Sequence, residues 1–184
     1  MKILVAGDSF AAEWPGDDGW VKLLAQSHEV TNVAQAGCGE YKIFKQIQKA
    51  NLDEYDCVIV SHTSPSRVHT PNHPLHKQGL HKDCDLLWND IDRTTFFNSS
   101  LSAAKGYFRY HYDDQYQCDM YALVRQQINT LLTNKQYMQV GTARTIKSNL
   151  ETGTPFKWDG VDYKYEDGKW QTPEGIVGDG TADP

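Results

Sequence analysis

At 184 residues, 39% of them hydrophobic, the chain is long enough for one domain that buries roughly two thirds of its unfolded surface without staples. A formal net charge of −6 and the lack of any basic run argue against a groove built on phosphate neutralisation, so no nucleic-acid partner is expected. No apolar run approaches a bilayer span and the N-terminus lacks signal-peptide character, so the expectation is no membrane partner and a cytoplasmic location.

The four cysteines, Cys38, Cys57, Cys84 and Cys118, are scattered and form no C-x-x-C pair, which predicts reduced thiols used for packing. Ile3 to Ala6 is an apolar run too short for a buried helix and reads as a strand covered on both faces. The turn Gly7-Asp8-Ser9 follows, and it presents Ser9 at the carboxyl edge of a sheet, where open α/β folds place their ligands. Asp8 is expected to fix this turn rather than to do chemistry.

Trp20, Leu23 and Leu24 mark a short helix, with Asp17 or Asp18 as its cap. Glu29 to Val33 reads as a second strand, ending in the loop Ala34 to Gly39. Ile43, Phe44 and Ile47 then follow at helical spacing. Cys57 to Ser61 is a third strand, and its exit turn, His62 to Arg67, lands at the same edge as Ser9. This alternation predicts an α/β fold with a three-layer doubly wound parallel sheet, complete or incomplete.

Between His62 and Cys84 the chain carries His69, His73, His76 and His81. Imidazole and thiolate are zinc's preferred ligands, but these spacings follow no standard zinc pattern. Pro71 and Pro74 are expected to turn the histidines in different directions, so the stretch reads as a solvated or substrate-facing loop, with no metal and no cofactor. From Cys84 the pattern turns helical: Leu87 and Ile91, then Phe97, Leu101, Ala104 and Phe108, then Tyr121, Val124, Ile128, Leu131 and Leu132. Tyr137 to Val140 is a candidate fourth strand. After it the character changes, and Asp159-Gly160 and Asp167-Gly168, set between alternating segments, signal β-hairpins before a loose tail over the last dozen residues. The expected organisation is an α/β domain over residues 1–140 and a divergent C-terminal segment over 141–184.

Gly7-Asp8-Ser9-Phe10 after an N-terminal strand resembles the first block of the SGNH (GDSL) hydrolases, whose fold is a doubly wound sheet of flavodoxin-like kind. Asn32 with Gly37 five residues later is similar to the second block. The resemblance implies that Ser9 is the nucleophile of an ester-cleaving site and that Gly37, or in second place Gly39, lends a backbone N–H to an oxyanion hole. The third block's Asn is missing; Thr63, Ser64 or Ser66 offers a hydroxyl instead, and His62 offers an imidazole as donor or base.

The family's C-terminal D-x-x-H is also missing: no histidine follows His111, and Asp159 to Asp162 puts a carboxylate in the imidazole's place. The C-terminal third therefore reads as replaced or truncated relative to the family. Three functions fit. In the first, an SGNH-type serine esterase cleaves a small acyl ester, on a carbohydrate by preference, with His62 or a loop histidine such as His69 as base. A noncatalytic module that binds an acylated sugar is the second. The third is a fragment or fusion with an interaction role. A nucleotide site is disfavoured because the spaced glycines of a pyrophosphate loop are absent.

Overall fold

Apolar side chains alternating between two covered faces build the centre of the protein. β1 (Lys2–Gly7) is buried from Ile3 onward and β3 (Cys57–Ser61) throughout. A computed structural model of the chain describes residues 1–16, 19–92, 98–140, 156–158, 161–166, 169–172 and 175–178, and divides it into two units, Met1–Val140 and Gly141–Pro184.

In the first unit β1 pairs in parallel with β2 (Glu29–Asn32) on one side and β3 on the other, and β3 pairs in parallel with β4 (Gln136–Val140). The order is β2-β1-β3-β4. One face carries Leu4, Ala6, Val58 and Val60, packed against Ile43 and Ile47 of α2 (Glu40–Lys49) and Ile128 and Leu132 of α5 (Asp114–Leu132). The opposite face carries Ile3, Val5, Cys57 and Ile59 against Val21 of α1 (Trp20–Ala25). The result is an α/β/α sandwich around an all-parallel sheet.

The chain leaves β1 for β2 in one direction and returns across β1 to β3 in the other. This reversal opens a crevice between the loops that leave the carboxyl ends of β1 and β3. A third cluster, Leu86, Ile91, Leu101 and Ala104, lies where α3 (Trp88–Asp92) and α4 (Ser99–Tyr110) pack together. The Asn98 side chain caps α4 through the Ser100 and Leu101 N–H groups, and Asp113 caps α5 through that of Tyr116. α1 begins instead at Gly19 with no side-chain cap; Asp17, Asp18 and Phe97 lie outside the described residues. No helix among the described residues is long and apolar enough to cross a membrane.

The second unit is an antiparallel meander of β5 (Phe156–Trp158), β6 (Val161–Glu166), β7 (Lys169–Thr172) and β8 (Gly175–Gly178). Trp158 pairs with Val161 and Glu166 with Lys169, each leaving two residues for a hairpin turn. Those four residues lie outside the described ones. The expectation of a loose tail is corrected in part: Ile176-Val177 between two glycines forms β8 on the edge of β7.

Candidate functional site

The turn after β1 is held by Asp8. Its backbone carbonyl accepts from the Ala11 and Ala12 N–H groups at 3.1 and 3.0 Å, and its carboxylate accepts from the Phe10 N–H at 3.1 Å. Asp8 is buried, and burial raises its pKa above the usual 3.8; the hydrogen bonds from the Phe10 N–H and the Thr63 side chain, and the Arg67 charge, pull the other way. The bond from Thr63 ties the two crevice loops together.

Ser9 is left half-buried, its carbonyl accepting from Trp14 Nε1 at 2.8 Å. Among the described residues, neither its hydroxyl nor its N–H has a hydrogen-bond partner. The same holds for the N–H of Gly37 in the loop after β2. Gly37 has φ +75°, and a Cβ there would stand 2.6 Å from Cys84 Cβ. Only glycine fits both constraints. Its carbonyl accepts from the Asp85 N–H at 2.9 Å and from Arg67 Nη1 at 3.4 Å, so the loop is clamped from its far side.

The other expected site residues are engaged elsewhere. His62 is 1% exposed; its Nδ1 is paired with Glu40, at the start of α2, and its Nε2 lies 3.1 Å from Gln139 Oε1 on β4. With both ring nitrogens held, it has none to offer Ser9, a correction to its expected role as base. Arg125 of α5 donates to the same Gln139 oxygen at 2.8 Å, and Glu40 also accepts from the Thr63 N–H at 3.3 Å. The second correction concerns Gly39, whose N–H is bound to Asp85 Oδ2 at 2.6 Å. The Thr63 hydroxyl bridges Asp8 and Arg67 Nε, and that of Ser64 lies 2.6 Å from Ser66 Oγ.

Asp85 is the hub that the sequence did not reveal. Fully buried, it takes the Gly39 N–H, the Thr70 N–H at 2.9 Å, Lys42 Nζ at 2.8 Å and His69 Nδ1 at 3.2 Å. The carboxylate thereby orients the His69 ring, whose side chain is 45% exposed and whose Nε2 has no partner among the described residues. A carboxylate behind one nitrogen and an open second nitrogen is the arrangement a general base requires. His69 lines a groove of about 330 Å³ with Tyr41, Ser64, Arg67, Tyr116 and Tyr121. Ser9 is not among the residues lining this groove.

The histidine loop is drawn shut at its base by paired hydrogen bonds between Val68 and Leu86, both at 2.9 Å. Inside it the histidines do not scatter as the prolines suggested. The rings of His73 and His76 lie 4.5 Å apart and those of His76 and His81 5.5 Å, and Trp14 meets His81 edge-on at 5.6 Å. Burial, followed by the neighbouring His76, lowers the His73 pKa to about 4. Burial likewise lifts the Cys38 thiol to about 12 and Cys84 to about 11, so neither is a nucleophile unaided.

Comparison with protein-family models, with curated proteins and with solved structures returned no match. The functional reading therefore rests on the residues themselves.

Proposed function

We propose that the chain is an SGNH-type ester hydrolase in which Ser9 attacks a small acyl ester, with a carbohydrate as the preferred alcohol. One observation carries this reading: a half-exposed serine at the carboxyl end of a central strand, its hydroxyl and N–H unpartnered among the described residues, with the N–H of buried Gly37 on the neighbouring loop likewise unpartnered among them. In this mechanism Ser9 Oγ bonds to the acyl carbon while its proton passes to an imidazole. The carbonyl oxygen becomes an oxyanion on the two N–H groups, and the alcohol leaves with the proton. Water then releases the acyl group by the same route. The base is His69, because Asp85 fixes its Nδ1 and leaves Nε2 open. The tyrosines of the groove that His69 lines suit a sugar ring, which presents an apolar face with hydroxyls around it.

A second reading is a noncatalytic module that binds an acylated sugar. It is favoured by the fact that no imidazole among the described residues hydrogen-bonds the Ser9 hydroxyl. Covalent labelling with a fluorophosphonate separates the two. Labelling of wild type but not of Ser9→Ala supports the esterase. Equal labelling of both, together with a melting temperature raised by acetylated oligosaccharide, supports the binding module.

A further inference from the structure

The loop between Val68 and Leu86 contains a cluster to which ester hydrolysis gives no role. One nitrogen each from His73 and His76, and the Sγ of Cys84, all lie within 4.8 Å of one another. Tetrahedral zinc, with metal–nitrogen bonds of about 2.0 Å and metal–sulfur bonds of about 2.3 Å, needs its ligands roughly 3.3 to 3.7 Å apart. Closing the set therefore requires inward shifts of about an ångström, which half-buried His76 can make by rotation.

A second, independent feature points to a ligand. His73 is completely buried, yet its Nε2 has no hydrogen-bond partner among the described residues. Its Nδ1 meanwhile accepts from the Leu75 and His76 N–H groups, both at 3.1 Å. With Nδ1 accepting, Nε2 carries the ring proton; a buried N–H left unsatisfied costs about 1–3 kcal/mol, and a cation relieves that cost once the proton has moved to Nδ1. A tight turn places the third donor. Asp83 adopts φ 58°, a left-handed conformation uncommon outside glycine, and the Cys84 N–H bonds the His81 carbonyl at 3.0 Å. That turn sets the cysteine under the Gly37 bend.

We propose that His73, His76 and Cys84 bind one zinc-like divalent cation, with water in the fourth position. Two imidazoles and a thiolate form a borderline-soft donor set, which selects zinc or cobalt over magnesium or calcium. The cation pins the loop next to Asp85, and so steadies the hub that holds Gly39, Lys42 and His69. Coordination through His73 Nε2 leaves the ring proton on Nδ1, where two peptide N–H groups now point. The Leu75 and His76 peptides must therefore turn away when metal enters.

The test uses tag-free full-length protein stripped with a chelator and titrated with zinc chloride alone by calorimetry, and with cobalt chloride by absorption spectroscopy. The expected result is one zinc per chain, a thiolate-to-cobalt charge-transfer band that Cys84→Ser abolishes, and shifted Leu75 and His76 amide resonances. Losing a residue that only hydrogen-bonds a ligand weakens metal sites about 10–100-fold, so losing a ligand itself in His76→Ala should weaken binding by more than roughly 100-fold. His76 is only half-buried, and circular dichroism of the metal-free variant verifies that it folds. Zinc binding by wild type no tighter than by a folded His76→Ala, or a cobalt spectrum without the charge-transfer band, overturns the proposal.

Discussion

Replacing Gly37 by alanine probes the bend on which the site depends. Two costs are separable. At φ +75° an L residue loses roughly 1–2 kcal/mol to backbone sterics. The new Cβ also stands 2.6 Å from Cys84 Cβ, so one of two clamped segments must move by about an ångström, an overpacking cost of typically 1–3 kcal/mol. Gly79 supplies the control, with φ +72° and nothing within 4 Å of an added Cβ. Gly79→Ala thus carries the backbone cost alone, about 1–2 kcal/mol, and Gly37→Ala about 2–5 kcal/mol in total. Any gain from a stiffer unfolded chain is common to both and cancels in the difference. Urea denaturation followed by circular dichroism measures the gap, and for a chain of this size each kcal/mol is roughly 2–4 °C in Tm. If Gly37→Ala proves no less stable than Gly79→Ala, Cys84 is not packed against the bend and the geometry described here is wrong.

Three further outcomes concern polar groups in and around the crevice. Because burial raises the Asp8 pKa, the folded state holds its proton more tightly than the unfolded one. The associated stability is complete below about pH 3.8 and is lost as pH rises through the folded-state value; Asp8→Asn should therefore gain on wild type as pH climbs from 3.5 to 7 in urea titrations, and a constant difference would contradict this. Asp85→Asn removes the charge that the Gly39 and Thr70 N–H groups and half-buried Lys42 share, and should lower stability by about 1–3 kcal/mol, visible as a shifted urea midpoint with unchanged slope. Ser9→Ala removes a hydroxyl with no partner among the described residues, so stability should stay within about 0.5 kcal/mol of wild type.

Local signals made the centre of the fold legible. The apolar runs of β1 and β3 reveal themselves because both faces are covered, and Gly7-Asp8 after β1 marks the turn. β4 is less legible, since Gln136 and Gln139 interrupt an edge strand whose Gln136, Tyr137 and Met138 are exposed. The polar core could not be read at all. Glu40, His62, Gln139 and Arg125 converge from α2, the exit of β3, β4 and α5, and pairings across 22 and 77 residues leave no mark in local spacing. Asp85 was hidden for the same reason. The prolines misled because Pro71 and Pro74 fix only their own φ, whereas the Val68–Leu86 bridge draws the ends of the loop together and gathers its histidines.

The central claim is that Ser9 is a nucleophile served by His69 and not by His62. It is tested most directly by the rate of fluorophosphonate attachment, followed by intact mass, in wild type, Ser9→Ala and His69→Ala. The account predicts one adduct on wild type, none on Ser9→Ala, and a rate lowered at least roughly 100-fold in His69→Ala, the usual minimum for losing a general base. Wild type reacting no faster than Ser9→Ala would contradict it.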